Sequence, residues 1–483
     1  MNFLYTLRIL GVLLMIFSTA QLFPASVAYY YGEFSLIKVF FYTLLVTFLC
    51  GFILYIASSN RKEDLRTKDG FIITVLFWTV LAIFGSFPLY FAENLNISYL
   101  DSLFESISGL TTTGATVITG LDDLPRSILF YRQLLQWLGG MGIIVLAIAV
   151  LPLLGIGGMQ LYKAETPGPL KDTKLTPRIK ETAKALWYVY LAMTICCAGA
   201  YKLFGMSTYD AICHAFSTVS IGGFSTHDES FGYFIQPAIR WTAVLFMIIA
   251  GINFALHYVA WNKRRITHYF YDSEVKAYLF ILALAFGLTF LTLSVYSPDL
   301  EGNLFEESAF QVVSIATTTG FLTSNYSNWP LFIPILLLTT AFIGACAGST
   351  GGGIKVIRTL ILAKQSAGEI TKLIHPNAVI SMKINKKAVN SRIAESVWSF
   401  FSIYVIVFII LFMFLLAQGN DFITSFSAVG ATLNNLGPGL GDVSSGYQGL
   451  SDYSKISLCV AMLLGRLEIF TLLVLFTPAF WRN

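Results

Sequence analysis

Long apolar runs dominate this chain, and short polar stretches interrupt them at intervals. A membrane-crossing helix needs about 20 mostly apolar residues. On that measure, spans are expected near 5–28, 36–58, 71–92, 127–157, 184–205, 236–261, 276–296, 329–363, 393–416 and 455–479. Four shorter, half-apolar segments lie between them, near 101–113, 209–220, 305–318 and 422–434. Each is too short to cross, so each is expected to enter the bilayer and turn back. The first 28 residues also have the outline of a secretory signal, with an apolar core at Ile9–Phe17 and Ser26-Val27-Ala28 as a cleavage-like site. Arg8 alone makes a weak basic region, however, and a first membrane helix accounts for the same residues.

The four short segments align on a glycine. They read TTTGA (111–115), SIGGF (220–224), TTTGF (317–321) and NNLGP (434–438), anchored on Gly114, Gly223, Gly320 and Gly437. The anchors recur at a period of about one hundred residues, which is a repeat signature. Thirteen positions before them stand Asp101, Asp210, Glu307 and Thr424; six before stand Ser108, Ser217, Ser314 and Ala431. An acid or threonine at the start of a short helix suits the N-cap and the positive end of the helix dipole. The helix would descend from one face, and the glycine would let the backbone turn and aim carbonyls inward. Non-helical backbone at membrane depth must be buried in protein or line a wet cavity. Four such turns about one axis would form a ring of oxygens able to replace the water shell of a monovalent cation. The candidate ligating residues are Thr112, Thr113 and Gly114; Ile221, Gly222 and Gly223; Thr318, Thr319 and Gly320; and Asn435, Leu436 and Gly437. A lone glycine of this kind more often serves helix packing; four in matching context argue for the ring.

Composition agrees with a polytopic membrane protein: 56% of residues are hydrophobic, 12% are charged and the mean hydropathy is +0.70. Six cysteines without CxxC spacing and five scattered histidines suggest neither a disulfide framework nor a zinc site. Lys and Arg concentrate at 61–68, 163–184, 262–265 and 355–392. Alternate loops carry Asp122, Asp123, Asp228, Glu229, Asp299, Glu301, Asp442 and Asp452. The positive-inside rule then puts both termini in the cytoplasm and the short segments at the outer face. The acidic loops either concentrate cations there or are simply solvated.

Two further features carry candidate chemistry. GACAGSTGGG (344–353) interrupts an apolar stretch of about 34 residues, too long for one straight span. Gly348 and Gly353 have the spacing of a phosphate-binding loop, but Ile354 stands where that motif needs lysine and no strand precedes it. A packing kink or a flexible gate made of Gly348, Ser349, Thr350, Gly351, Gly352 and Gly353 remains. Arg466 falls near the centre of the last expected span, where an arginine costs about 2.5–3.5 kcal/mol and so faces protein or water. It is either a structural bridge or a charge beside the pore; Glu468 is at the wrong spacing for an easy pair. An intramembrane enzyme would need a cluster of His, Asp or Glu at depth, and a receptor would not need four matched loops. No intramembrane acid stands out as a proton carrier, which favours gated flow over proton symport without deciding between them.

GLTTTGAT (109–116), YRQLLQWLGGMGIIVLA (131–147), IGGFSTHD (221–228), GACAGSTGGGIKVIR (344–358), ATLNNLGPGLG (431–441) and GRLEIFTLLVLFTP (465–478) resemble signatures of the Trk/Ktr/HKT superfamily of potassium transporters, in particular the membrane subunits of the bacterial Trk system. The resemblance covers essentially the whole chain. It implies an all-α polytopic fold of four helix–pore loop–helix pseudo-repeats around one central pore, plus an extra N-terminal helix pair. The corresponding division is 1–60 for the pair, then repeats at 61–162, 163–265, 266–390 with the glycine-rich gate loop, and 391–483. It implies K+ as the transported ion, with Rb+ passing and Na+ passing more weakly, because one glycine per repeat gives fewer carbonyl layers than the TVGYG filter of tetrameric channels. A sodium-permeable or sodium-coupled relative is the alternative. It also implies a homodimer in the bacterial inner membrane, a cytosolic nucleotide-binding RCK-type regulatory subunit, TrkA, no organic cofactor and no nucleic-acid partner. NNLGP departs most from the other three turns.

Overall fold

Backbone groups in lipid must satisfy one another, and a single segment does this only as a helix. The computed structural model describes residues 3–58, 67–142, 179–297, 303–378, 382–385, 387–389 and 391–481. Helices dominate it; the strands among the described residues are Lys383–Ile384 and Lys387–Ala388, paired antiparallel. Six helical stretches are long and apolar enough to cross a membrane: Leu4–Tyr30, Phe34–Ala57, Lys68–Phe91, Lys184–Leu203, Ser273–Tyr296 and Ser391–Ala417. The chain is an all-α polytopic membrane protein.

Two of the expected spans are bent. Pro237–Ala250 and Phe254–Lys263 meet at 93°, and Asp452–Arg466 and Phe470–Phe476 meet at 106°. At the first bend Asn253 caps the second helix by accepting from Ala255 N at 2.8 Å. At the second, Glu468 and Ile469 both adopt left-handed φ, 51° and 55°. The 329–363 stretch is also interrupted: helix stops at Ile343 and resumes at Val356. The expected span at 127–157 begins as the helix Arg126–Trp137 and continues through Leu138–Gly142; its remainder lies outside the described residues, as do most of the basic stretches at 61–68 and 163–184, and Asp299 and Glu301.

The first helix, Phe3–Thr19, crosses Phe34–Ala57 at contact distance. A methyl group on Gly11 would lie 2.5 Å from Gly51 O, so the backbones touch through small residues.

Opposite charges brace the N-terminal ends of the short segments against their neighbours. Lys455 Nζ lies 2.7 Å from Asp101, and Arg240 reaches Glu306 and Glu307 at 3.3 and 3.1 Å. His227 sits between Asp122, 2.5 Å from Nδ1, and Asp210, 3.5 Å from Nε2, with the Tyr233 ring stacked 3.5 Å away. Asp228 accepts from Gly120 N at 3.0 Å. Asp122 and Asp228 are therefore structural members of this brace and not simply solvated.

Burial opposes the charge on His227, but hydrogen bonding and attraction from Asp210 and Asp122 prevail and raise its pKa above the ordinary 6.5. Burial likewise opposes the carboxylates of Asp122 and Asp210, and their partners hold both below the ordinary range. The histidine's contribution is then complete below pH 6.5 and fades as pH rises through its raised value; the carboxylates' contribution fades only in acid. The stability advantage of wild type over His227→Gln should be greatest near pH 6, at up to about 1 kcal/mol after solvent screening, and should shrink towards pH 9. Thermal unfolding of both proteins across that range checks it.

Candidate pore and filter site

Four short helices carry the anchor glycines: Tyr99–Leu110, Thr208–Ser220, Leu304–Ala316 and Phe422–Leu433. Their N-caps are Ser98, Ser207, Asn303 and Asp421, each accepting from a backbone N–H in the first turn. The carboxylates expected to cap are not the caps. Asp101 and Asp210 stand three residues further on and accept from the cap hydroxyls at 2.8 and 2.7 Å. This reciprocal arrangement satisfies the helix start and still places negative charge at the positive dipole end.

The helices end alike. Thr113 N, Gly222 N, Thr319 N and Leu436 N each donate back to the carbonyl five residues earlier, on Ser108, Ser217, Ser314 and Ala431, at 2.7–2.8 Å. Such a closure requires a left-handed residue just before the donor. Thr112, Ile221, Thr318 and Asn435 occupy that place, with φ of 55°, 55°, 66° and 53°. The glycine that follows is also at positive φ: 81° at Gly114, 82° at Gly223, 83° at Gly320 and 99° at Gly437. One backbone shape is thus drawn four times.

The four turns close on one another. A methyl on Gly114 would lie 2.2 Å from Gly222 O, one on Gly223 2.1 Å from Thr319 O, one on Gly320 2.1 Å from Leu436 O, and one on Gly437 2.6 Å from Thr113 O. Each glycine receives the carbonyl of the residue before the next anchor, and the fourth returns to the first. All twelve expected ligating residues belong to this ring of turns. Among the described residues no group of three or more His, Cys, Asp and Glu is placed to hold a metal ion.

The glycine-rich segment lies against the helix ends of the second, third and fourth turns. Thr350 Oγ1 donates to Val219 O at 3.0 Å, Gly352 N to Thr318 Oγ1 at 2.7 Å, and Gly353 N to Asn434 O at 3.2 Å. Arg466 completes the set, donating to Thr112 Oγ1 at 3.2 Å and Thr350 O at 3.1 Å, and to Gly139 O and Gly140 O at 2.6 and 2.7 Å. It ends its helix at the 106° bend. Glu468 pairs with Arg358 on the far side of the bend.

The model of a family described as cation transport protein, TrkH, matches residues 36–483. The chain belongs to the TrkH family. It is 53% identical to the Trk system potassium uptake protein TrkH of Vibrio parahaemolyticus and 50% identical to that of Escherichia coli K12, each over the full length of both chains. It is 44% identical to the E. coli K12 Trk system potassium uptake protein TrkG, over 98% of this chain and 97% of the relative. The crystal structure of the potassium transporter TrkH from V. parahaemolyticus superposes with a TM-score of 0.90 at 50% identity, covering all of both chains. Family and relatives alike are transporters, not enzymes.

Several members of this TrkH-family site were not singled out from sequence. Gln136 donates to Gly222 O and accepts from Phe224 N at 3.1 Å. Tyr447 donates to Gly437 O at 2.7 Å. Behind the first turn the fully buried pair Arg132–Glu105 closes at 2.6 Å, and Glu105 also accepts from Val117 N at 3.0 Å. Arg132 and Gln136 lie within YRQLLQW (131–137), whose polar residues on an otherwise apolar run were the available signal. Glu105 and Glu274 are buried acids, and both hold hydrogen-bonded partners.

Positive φ and the neighbour's carbonyl together make Gly320→Ala costly, by roughly 1–3 kcal/mol. Gly287→Ala is the control: a methyl there meets nothing within 4 Å and should be neutral or stabilising by up to about 1 kcal/mol. Thermal unfolding of the two purified variants checks the contrast.

Proposed function

We propose that this chain takes up K+ across the bacterial inner membrane through a gated, channel-like pore whose filter is the ring of four glycine turns. The observation that carries this is the closed contact of each anchor glycine with the next turn's carbonyl. A dehydrated monovalent cation needs oxygens that are already gathered and unable to collapse, and the ring provides them. The short helices direct their partly negative C-terminal ends to the same place, without a fixed carboxylate that would grip a divalent ion. Relatives of 50–53% identity named as potassium uptake proteins support the choice of ion.

The glycine-rich segment Gly348–Gly353 is the gate, with Arg466 as its latch. Its contacts with three of the turns, and through Arg466 with the first, support a position across the exit of the ring. Lys355 and Arg358 follow at once, leading towards the basic residues of the cytoplasmic face. Both termini lie on that face, where a nucleotide-binding RCK-type subunit acts on the segment; two copies of the chain assemble as a homodimer.

Expression in a K+-uptake-deficient cell should restore growth at low external K+; failure with normal membrane insertion overturns the proposal, and Na+ uptake without K+ uptake favours the sodium-permeable alternative. Gly223→Ser or Gly320→Ser should lower the K+ over Na+ preference by roughly tenfold, about 1.4 kcal/mol of discrimination. Unchanged Rb+ and Na+ uptake in all four single glycine variants removes the carbonyl ring. Arg466→Ala, or deletion within Gly348–Gly353, should raise flux in reconstituted vesicles and lessen its dependence on the cytosolic subunit. A well-folded deletion protein that conducts no better than wild type makes the segment a packing kink, and an Arg466→Ala protein that fails to insert makes the arginine a structural bridge.

A further inference from the structure

We propose that Glu274 is the positioning residue that clamps the glycine-rich segment shut, one carboxylate oxygen holding both of its ends. This rests on the reading of that segment as the gate. Glu274 lies in the first turn of the helix Ser273–Tyr296, and its side chain is buried. Its Oε1 accepts from Ala347 N at 2.7 Å and from Ile357 N at 3.2 Å. Ala347 and Ile357 bracket Gly348–Gly353, one before it and one after. Opening the loop by moving either end breaks a hydrogen bond inside the protein, where such bonds are strong and an unpaired N–H is costly.

The clamp is itself anchored from the cytoplasmic side. Asp272 caps the helix by accepting from Glu274 N at 2.9 Å and Val275 N at 3.0 Å. Asn385, in the turn of the short β-hairpin, then holds that cap: its Nδ2 donates to Asp272 at 2.9 Å and its Oδ1 accepts from Ser273 N at 2.7 Å. Asn385 is exposed. A continuous path of contacts therefore runs from a surface hairpin through one helix start to the two ends of the loop. A cytosolic protein that displaces the hairpin would turn Glu274 away and free both ends together.

The loop carries its own reporter. Cys346 is buried beside Ala347, while Cys213 and Cys459 are buried elsewhere. Full-length protein is reconstituted in vesicles without the cytosolic subunit and treated with N-ethylmaleimide; peptide mass spectrometry reads labelling at each cysteine, and Rb+ influx is measured in parallel. Glu274→Ala should accelerate Cys346 labelling with Cys213 and Cys459 unchanged, and should raise Rb+ flux about tenfold, the factor expected from losing a buried hydrogen bond. Glu274→Gln keeps an oxygen able to accept both N–H groups and should stay within about twofold of wild type. Unchanged Cys346 labelling in Glu274→Ala overturns the clamp, and so does a Glu274→Gln protein that behaves like Glu274→Ala. Faster labelling with no rise in flux, either in Glu274→Ala or in the Gly348–Gly353 deletion, keeps the clamp and overturns the gate. If every buried cysteine in Glu274→Ala labels faster, the protein has loosened globally and Asn385→Ala decides: selective exposure of Cys346 supports the clamp, and no change overturns it.

Discussion

Everything near the centre of this molecule depends on a backbone carbonyl resting against a neighbour's glycine, four times in a closed ring. At 2.1–2.6 Å from the place a methyl would occupy, the carbonyl leaves no room for any other residue. Because the ring closes, no turn can move alone. A displacement at Gly114 is passed to Gly222, and onwards until it returns through Thr113. A cation filter needs this property, since oxygens that follow the ion inward would suit a smaller one equally well. The same mutual support makes the ring unforgiving of errors in the scaffold behind it.

The scaffold is accordingly polar and paired where a membrane protein would otherwise be oily. Thr112, Ile221 and Thr318 hold a left-handed conformation that costs side-chain-bearing residues roughly 1–2 kcal/mol each. The back-donated hydrogen bond at the end of every short helix offsets this, and the surrounding hydroxyls fix what remains: Thr111 with Thr113 and Thr317 with Thr319, each at 2.7 Å. Asn435 reaches across to Thr113 Oγ1 at 3.0 Å and joins the last turn to the first. The buried Arg132–Glu105 pair adds little net stability once desolvation is counted. Its value is geometric, because Arg132 also donates to Thr116 Oγ1 at 3.0 Å and so fixes the segment leaving the first turn.

The repeat was legible in the sequence because it is written four times. Any one of the glycines is ambiguous; four at matched distance from an acid or threonine are not. The cap was misplaced by three residues because Ser98 and Asp101 are both good helix-start residues, and only the hydrogen-bond directions separate them. The left-handed threonines and isoleucine could not be foreseen, since these residue types normally avoid that conformation and are held there by tertiary contacts. The two bends escaped for a different reason. Hydropathy sums along a run and carries no direction, so a helix that turns by 93° or 106° within apolar surroundings reads like a straight one. Glu274 resembled the ordinary polar edge of a span, and its partners 73 and 83 residues away are invisible to any local pattern.

A single chain carrying four unlike turns differs physically from four identical chains, and the difference bears on selectivity. In a homotetramer every filter carbonyl competes with the same neighbours. Here Gly222 O already accepts from Gln136, and Gly437 O from the Tyr447 hydroxyl. A carbonyl has two lone pairs, so each keeps one for an ion. The donor's positive end nevertheless stays close by and weakens the oxygen's hold on a cation. On the proposed reading, the second and fourth turns therefore contribute less field than the first and third. An uneven, softened ring lowers the return for stripping water from a strongly hydrated ion such as Na+ more than for a weakly hydrated one such as K+. It also leaves no position where the ion is held too tightly to go on. On that reading, discrimination by weak grip, backed by a rigid ring and a closable segment beneath it, suits uptake in which a gate controls flow and the filter only sorts it.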